Sequence, residues 1–199
     1  MLEPLSPLAA YLAPSAWIDS DHPAVAAKAA ALAAGRVTDA AMTEAAFVFV
    51  RDAIRHSADY RQNPVTRAAS EVLAHGTGYC YAKAHLLVAL LRASGIPAGL
   101  CYQRLVLDPG NDATRYCLHC LAAVRLKDWG WYRIDPRGNK AGVDARFTPP
   151  TERLAFPVTA PGEVDLPGIH AAPLPVVMEA LTRHTTWNAL YDALPDVSL

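Results

Sequence analysis

The sequence predicts an α+β fold in which helices pack against an antiparallel β-sheet. Helical patterns run from about residue 23 to residue 95, and strand patterns joined by short turns follow to residue 136. Helices followed by consecutive strands are typical of this class, since βαβ units would alternate the two patterns. Hydrophobic residues make up 52% of the 199 residues and charged residues 19%, which supports a packed core. We expect one domain over 1–199, with its core at about 23–146.

The first helix follows a proline-broken lead-in. Residues 1–21 contain three prolines and are predicted to be irregular. Asp21 is a candidate N-cap for a helix that begins near Pro23, because proline suits the first helical turn. Gly35 ends this alanine-rich helix.

A second helix is predicted to begin at Thr38. Apolar residues recur along it at helical spacing, and three of them form its expected buried stripe: Phe47, Val50 and Ile54. Loop residues follow, and a short helix over 67–76 leads into the next element.

The stretch GTGYCYAKAHLLVALLRASG, from Gly76 to Gly95, places Cys80 between a glycine-broken loop and a strongly apolar helix. A thiol at a helix start faces unpaired backbone N–H groups and the positive end of the helix dipole. That setting favours the reactive thiolate. Four leucines form the apolar face of the helix, which predicts deep burial: Leu86, Leu87, Leu90 and Leu91.

Three strands are predicted next, over 98–107, 116–126 and 131–136. A turn cluster at 108–115 and a tight connection at 127–130 separate them, so the strands form an antiparallel meander.

The remaining chain, 147–199, is predicted to be a proline-rich arm that ends in short helices. Seven prolines lie between Phe147 and Pro175, which favours an extended arm. Helical patterns are confined to 176–184 and 186–194.

Pairing of the last two strands determines where His119 and Asp135 lie. A turn centred on residue 127 places these residues opposite each other, and a turn centred on 128 places them diagonally. Both registers put the two side chains on one face, because side chains alternate along a strand. The other face is mostly apolar: Leu118, Cys120, Ala122, Val124, Tyr132 and Ile134. We expect the proline-rich arm or the terminal helices to cover that apolar face.

Three segments in this order resemble the transglutaminase-like superfamily, whose members are relatives of the papain-like thiol enzymes. The segments are GTGYCYAKAHLLVALLRASGIPAG, YCLHCLAAV and GWYRIDPRGN, and the resemblance covers about residues 70–140. It implies a papain/transglutaminase-like core with the nucleophile at the N-terminus of a buried helix. It also implies that Cys80 is the nucleophile, His119 the base and Asp135 the acid that orients the imidazole. No metal or organic cofactor is implied.

The resemblance leaves the reaction open. Many members follow the histidine with Ala-Trp, whereas Cys120 and Leu121 stand here, and the acidic calcium loops of the large animal enzymes have no counterpart. We expect thiol-dependent acyl transfer through an acyl-enzyme, most simply on an amide bond, as in a protease, an amidase or a transglutaminase. The alternatives are an acyltransferase or cyclase acting on a thioester-bound acyl chain, and a non-catalytic binding module. The expected partner is a peptide, amide or thioester acyl substrate.

Further residues are candidates for the oxyanion hole and for substrate binding. The backbone N–H of Cys80 is a natural oxyanion donor. Gln103 is the side-chain candidate, and three other residues are candidates for lining the site: Tyr79, Cys117 and Trp131.

Other polar groups have simpler interpretations. Lys83 is expected to be solvated, and His85 packed or at the surface, because it lies about 140° around the helix from Cys80. Three histidines have no evident role: His56, His75 and His170. Three arginines could bind a carboxylate or phosphate, although surface charge is the simpler reading for the first of them: Arg104, Arg133 and Arg137.

Several classes of function are disfavoured. The net charge of −1 and pI of about 6.6 give no basic footprint for nucleic acid. The N-terminus has no basic n-region and no unbroken apolar stretch, so we expect a cytoplasmic protein without membrane spans or disulfides. Cys117 and Cys120 flank His119 but point to opposite faces of a strand, which argues against a metal site.

Overall fold

The computed structural model describes residues 3–108 and 112–197, without the side chains of Asp108 and 112–114. Part of the predicted turn cluster, 109–111, lies outside the described residues. The helices in chain order are α1 (Pro23–Ala33), α2 (Asp39–Ala53), α3 (Ser57–Tyr60), α4 (Ala69–His75), α5 (Cys80–Ala93), α6 (Pro175–Arg183) and α7 (Trp187–Asp192). The strands are β1 (Arg55–His56), β2 (Thr77–Gly78), β3 (Ala98–Asp108), β4 (Asp112–Leu126), β5 (Gly130–Ile134) and β6 (Val164–Asp165).

Helix α5 is the centre of the helical layer. All of its residues except Ala93 are buried, and α1, α2 and α4 pack around it. This burial confirms the prediction from its leucine face. Within the described part of the chain, no helix is both long and apolar enough to span a bilayer.

The helix starts follow the predicted pattern with one exception. Thr38 caps α2 by accepting a hydrogen bond from the N–H of Ala41 at 3.1 Å. The predicted cap of α1 at Asp21 is wrong: His22 holds that position, and its Nδ1 accepts from the N–H of Ala24 at 3.3 Å. Pro23 is therefore the first residue of α1, so the cap lies one residue later than predicted.

The main sheet has the strand order β5-β4-β3-β6. Strands β4 and β5 are antiparallel, and Ala122 pairs with Ile134. This is the predicted register with the turn centred on residue 128. Strand β6 was not predicted, because its two residues lie within the proline-rich arm; they pair with Gln103 and Arg104.

The two faces of this sheet are covered differently from the prediction. Helix α5 covers the apolar face that includes Leu118, Val124 and Ile134, where the arm or terminal helices were expected. The lead-in and the arm cover the opposite face through Tyr11 and Ile169. The arm was assigned to the wrong face because strand alternation separates the faces without identifying the element that covers each.

The edge of strand β4 beside His119 is not paired with another strand among the described residues. Strand β5 ends opposite Ala122 and does not reach the earlier part of β4. Two other groups bond the β4 backbone there. The Leu118 N–H donates to the carbonyl of Pro195 at 2.7 Å, and the Tyr81 hydroxyl donates to the Leu118 carbonyl at 2.6 Å. The first turn of α5 is therefore tied to β4 one residue from His119.

Candidate active site

Cys80 is the first residue of α5 and lines a cleft of about 700 Å³. The residue before it, Tyr79, occupies the N-cap position but makes no capping hydrogen bond through its side chain. The first N–H groups of α5 therefore remain available to a ligand in the cleft. Only 7% of Cys80 is exposed to solvent, so access to the thiol is through this cleft.

His119 and Asp135 form a buried pair beside Cys80. The distance between His119 Nε2 and Asp135 Oδ2 is 2.7 Å. Asp135 also accepts hydrogen bonds from the backbone N–H groups of Arg137, at 3.1 Å, and Ala155, at 3.2 Å. Because Nε2 faces Asp135, Nδ1 is the ring nitrogen left for Cys80, with which His119 also interacts.

The charges around this pair favour a protonated imidazole. Burial alone would lower the pKa of His119, but the charges of Asp135 and Cys80 and hydrogen bonds to both raise it to about 10. Burial would likewise raise the pKa of Asp135, but His119 and the two backbone donors hold it below its usual value. At neutral pH the imidazole of His119 is therefore protonated, in contact with the Asp135 carboxylate and beside Cys80.

The arm supplies part of the site, which the sequence did not indicate. The ring of Phe156 packs edge-on against His119, with ring centroids 5.1 Å apart. The neighbouring residue Ala155 bonds Asp135 as described above, so the arm covers the pair and fixes its geometry.

Two of the predicted site residues lie elsewhere. Gln103 pairs with His119 across β3 and β4, but its Nε2 donates to Asp165 Oδ1 at 2.9 Å and the side chain does not line the cleft. Trp131 stacks edge-on against Tyr11, with centroids 5.0 Å apart, on the face of the sheet covered by the lead-in. Both assignments are wrong because the arm and the lead-in engage these side chains.

Tyr79 and Cys117 line the cleft, as predicted, while Cys120 belongs to the core beneath α5. Burial raises the pKa of Cys117 and of Cys101 to about 12, and that of Cys120 well above its usual value. These three thiols are therefore protonated at neutral pH.

A second group of charged side chains lines the cleft. Asp59 accepts hydrogen bonds from both terminal nitrogens of Arg137, at 2.6 and 3.0 Å, and from Lys140 Nζ at 2.7 Å. His56, for which no role was predicted, is buried in the same wall of the cleft. Nothing in the sequence pattern links these residues, which come from β1, α3 and the segment after β5.

Lys83 is fully buried, so the prediction of a solvated side chain is wrong. Its ammonium group donates to the carbonyl oxygens of Arg51, at 3.3 Å, and Ile54, at the end of α2. Burial, with the positive charge of Arg137, lowers the pKa of Lys83 to about 7. Because α5 is apolar nearly all round, the position of Lys83 on the helix already implied burial.

The remaining charged candidates are occupied within the protein. Arg104 makes a bidentate pair with Asp196, and Arg133 pairs with Glu152 and Asp165. His85 is packed, with Nδ1 2.8 Å from the carbonyl oxygen of Arg67.

Comparison with known proteins identifies the fold. A model of the transglutaminase-like superfamily matches residues 26–136, more than half of the chain. No curated protein matches the sequence significantly.

Several solved structures are similar, and two of them are compared with this chain. One is a candidate cysteine protease from Cytophaga hutchinsonii, with 19% identity and a TM-score of 0.52 over 65% of this chain and 42% of that one. The other is the periplasmic domain of TgpA from Pseudomonas aeruginosa, with 21% identity and a TM-score of 0.45 over 63% of this chain and 46% of that one. The chain spans less than half the length of either protein. The first of these similarities supports a common α+β fold.

Proposed function

Because the chain belongs to the transglutaminase-like superfamily, we propose that it is a thiol-dependent acyl-transfer enzyme with Cys80, His119 and Asp135 as its catalytic residues. The observation that carries the proposal is the 2.7 Å contact between His119 and a fully buried Asp135, beside a cysteine at an uncapped helix start. This arrangement supplies a nucleophile, a proton carrier and a group that orients the proton carrier.

The raised pKa of His119 suggests which group acts first. An imidazolium beside Cys80 stabilises the thiolate, so the resting enzyme is proposed to hold an ion pair. This changes the role predicted from sequence, in which His119 first removes the proton of the thiol. His119 would instead begin the reaction as an acid.

The thiolate sulfur of Cys80 then attacks the acyl carbonyl, and the carbonyl π electrons move to oxygen. As the tetrahedral intermediate collapses, the bond to the leaving group breaks and His119 gives that group its proton. The acyl-enzyme remains, with a neutral imidazole. Water or another acceptor loses its proton to His119 as it attacks, and the thiolate leaves. Asp135 holds the ring orientation throughout and stabilises the imidazolium.

We propose an amide as the acyl donor, with an apolar acyl group. Apolar side chains form part of the cleft lining, among them Leu105, Val106 and Trp187. A leaving amine needs a proton from the enzyme, which the imidazolium of His119 can supply.

The test is a matched set of donors that carry one acyl group, 3-phenylpropanoyl, as an amide, an ester and a thioester. Intact mass measurement should detect a 3-phenylpropanoyl adduct on Cys80, and product release should follow with the amide. Cys80→Ala should abolish both while leaving the unfolding curve unchanged. Cys101→Ala is the control, because that thiol is buried in the cluster around Tyr11 and Ile169 and does not line the cleft.

Three results would change the proposal. Turnover of the thioester alone would favour transfer or cyclisation of thioester-bound chains. Binding without any adduct would favour a binding module. Full activity of Cys80→Ala would refute the nucleophile assignment.

Iodoacetamide provides an independent test of the thiolate. At neutral pH it should modify Cys80 well before Cys101, Cys117 and Cys120, whose raised pKa values keep them protonated. In urea, where the protein is unfolded, all four thiols should react equally. Equal labelling in the native protein would contradict the ion pair.

A further inference from the structure

With Gln103 engaged elsewhere, the cleft lacks an assigned side chain to bind the oxygen of a tetrahedral intermediate. We propose that His56 is this donor and acts through Nε2–H together with the backbone N–H of Cys80. The inference rests on the proposed function, since acyl transfer is the reaction whose tetrahedral intermediate would need this donor.

The backbone places His56 next to the nucleophile. Strand β1 runs parallel to β2, and His56 pairs with Gly78, two residues before Cys80. The residue between them, Tyr79, packs edge-on against the His56 ring with centroids 5.4 Å apart. Both His56 and Cys80 line the cleft. A carbonyl attacked by Cys80 would therefore lie within the space that the His56 ring borders.

The hydrogen bonding of His56 is incomplete. The side chain is 9% exposed, and Nδ1 is buried without a hydrogen-bond partner among the described residues. Asp59 Oδ2 lies 3.7 Å from it, beyond hydrogen-bond distance. Leaving a buried polar group unpaired costs about 1–3 kcal/mol, so such groups need an explanation.

The same observation assigns the tautomer. A neutral imidazole carries one proton, and a proton on Nδ1 would be a buried donor without an acceptor. Orphaned buried N–H groups are rare, whereas an unpaired lone pair is tolerated better. The proton therefore belongs on Nε2, which is not among the buried unpaired atoms. Nε2–H is then available to a ligand in the cleft.

Charge supports this role. Burial and then the positive charge of Arg137 hold the pKa of His56 well below its usual value, with the nearby charge of Asp59 acting in the opposite direction. A neutral donor leaves the oxyanion intact, whereas an imidazolium would compete with His119 for the role of acid. Three other donors that line the cleft already have partners: Tyr79 donates to the carbonyl of Trp187, and Arg137 and Lys140 donate to Asp59.

The experiment compares His56→Leu with His56→Gln, which keeps an N–H donor. For turnover of the 3-phenylpropanoyl donor, His56→Leu should lower kcat by about 100- to 1000-fold with little change in KM, as removal of an oxyanion donor does. The kcat of His56→Gln should exceed that of His56→Leu by about tenfold or more, because the glutamine amide keeps an N–H donor.

Alkylation by iodoacetamide separates this role from a structural one, because displacement of iodide forms no oxyanion. The alkylation rate of Cys80 in His56→Leu should stay close to that of the wild type. His170→Leu is the matched control. Its ring also packs edge-on against a tyrosine, Tyr102, at 5.5 Å, but it does not line the cleft.

An aldehyde tests His56 without turnover. The Cys80 thiolate adds to the carbonyl carbon of 3-phenylpropanal, and the π electrons move to oxygen to give the alkoxide of a hemithioacetal. This oxygen occupies the oxyanion position, and the adduct should protect Cys80 from iodoacetamide. Protection should weaken in His56→Leu and remain in His170→Leu.

Unchanged kcat and protection in His56→Leu would overturn the proposal, as would a parallel loss of kcat and alkylation rate. Absence of protection in the wild type would also count against it. If the donor panel shows no turnover but the aldehyde result depends on His56, the proposed function fails while this donor assignment stands.

Discussion

His119 and His56 line the same cleft and both are buried, yet their charges differ. Burial disfavours the charged form of both rings. His119 has Asp135 in direct contact, and its pKa is raised to about 10. His56 has Arg137 and Lys83 near it, and its pKa is lowered well below the usual value.

The difference shows that neighbouring charges, rather than depth of burial, decide which histidine carries a proton. His119 has an anion in contact with it, whereas His56 has cations near it and its neighbouring carboxylate, Asp59, is already paired. The two rings can therefore serve as acid and as neutral donor in one site.

Removal of the Asp135 charge should have the largest effect. Asp135→Asn takes away the anion that stabilises protonated His119, so we expect acyl transfer to fall by about 10³- to 10⁴-fold. The pKa of His119, followed by NMR of the ring protons, should decrease markedly. Asp144→Asn, at an exposed pair with Arg146 and Arg153, is the control. A His119 titration unchanged in Asp135→Asn would refute the electrostatic account.

Replacement of Lys83 tests, through the free energy of unfolding, whether this buried cation near His56 has a lowered pKa. The pKa of Lys83 falls from its unfolded value of 10.5 to about 7 in the folded protein. Below pH 7 the folded protein therefore bears the whole cost of burying the ammonium group. This cost decreases as the pH rises from 7 towards 10.5, because the folded state then holds a neutral amine.

The free energy of unfolding of the wild type relative to Lys83→Met should therefore increase by about 2–3 kcal/mol between pH 6 and pH 9. Urea denaturation of both proteins at the two pH values measures it. A difference independent of pH would mean that Lys83 keeps an ordinary pKa.

Arg137→Gln should make the two histidines more alike. Loss of this cation leaves Asp59 as the main charge near His56, so the pKa of His56 should rise towards 6.5. Acyl transfer should then decrease by about tenfold, the effect of about 1.4 kcal/mol, and more strongly at pH 6 than at pH 8. Arg133→Gln, which breaks a pair outside the cleft, should leave the His56 titration unchanged.

The alkaline side of the pH dependence of the wild type should report His119. The ion pair is retained until His119 loses its proton near pH 10, so kcat/KM should fall by about tenfold per unit above that pH. Stability follows the same direction. Protonated His119 makes its full contribution to the free energy of unfolding below pH 6.5, and this contribution is lost as the pH rises through about 10. A fall in activity centred near pH 7 would point to a different essential group.

The parts of the fold that follow local patterns were predictable from the sequence. The period of the apolar residues identified α2 and α5, and strand alternation put His119 and Asp135 on one face. The register followed from the length of the turn, which allowed only two pairings that preserve this face.

The errors concern contacts between distant segments. Gln103 has the right alternation for the site, but the arm returns to bind it through Asp165. His56 gained no role from the sequence because β1 and β2 are two residues each, too short for a periodic pattern, and their pairing is parallel and non-local. The prediction for Lys83 was wrong because it followed from the residue type alone, since lysine is usually solvated. The prediction for α5 followed from its apolar face, which already implied burial of the helix.

The contacts of the arm affect how this site can be inherited or transplanted. The superfamily region ends at residue 136 and contains Cys80, His119 and Asp135, yet the Ala155 N–H and the Phe156 ring that complete their surroundings lie beyond it. A graft of residues 26–136 alone would carry the three reactive groups without these contacts and would leave Asp135 short of one donor. A recombination event that transfers the complete site must therefore include the arm through Phe156, beyond the region that matches the superfamily.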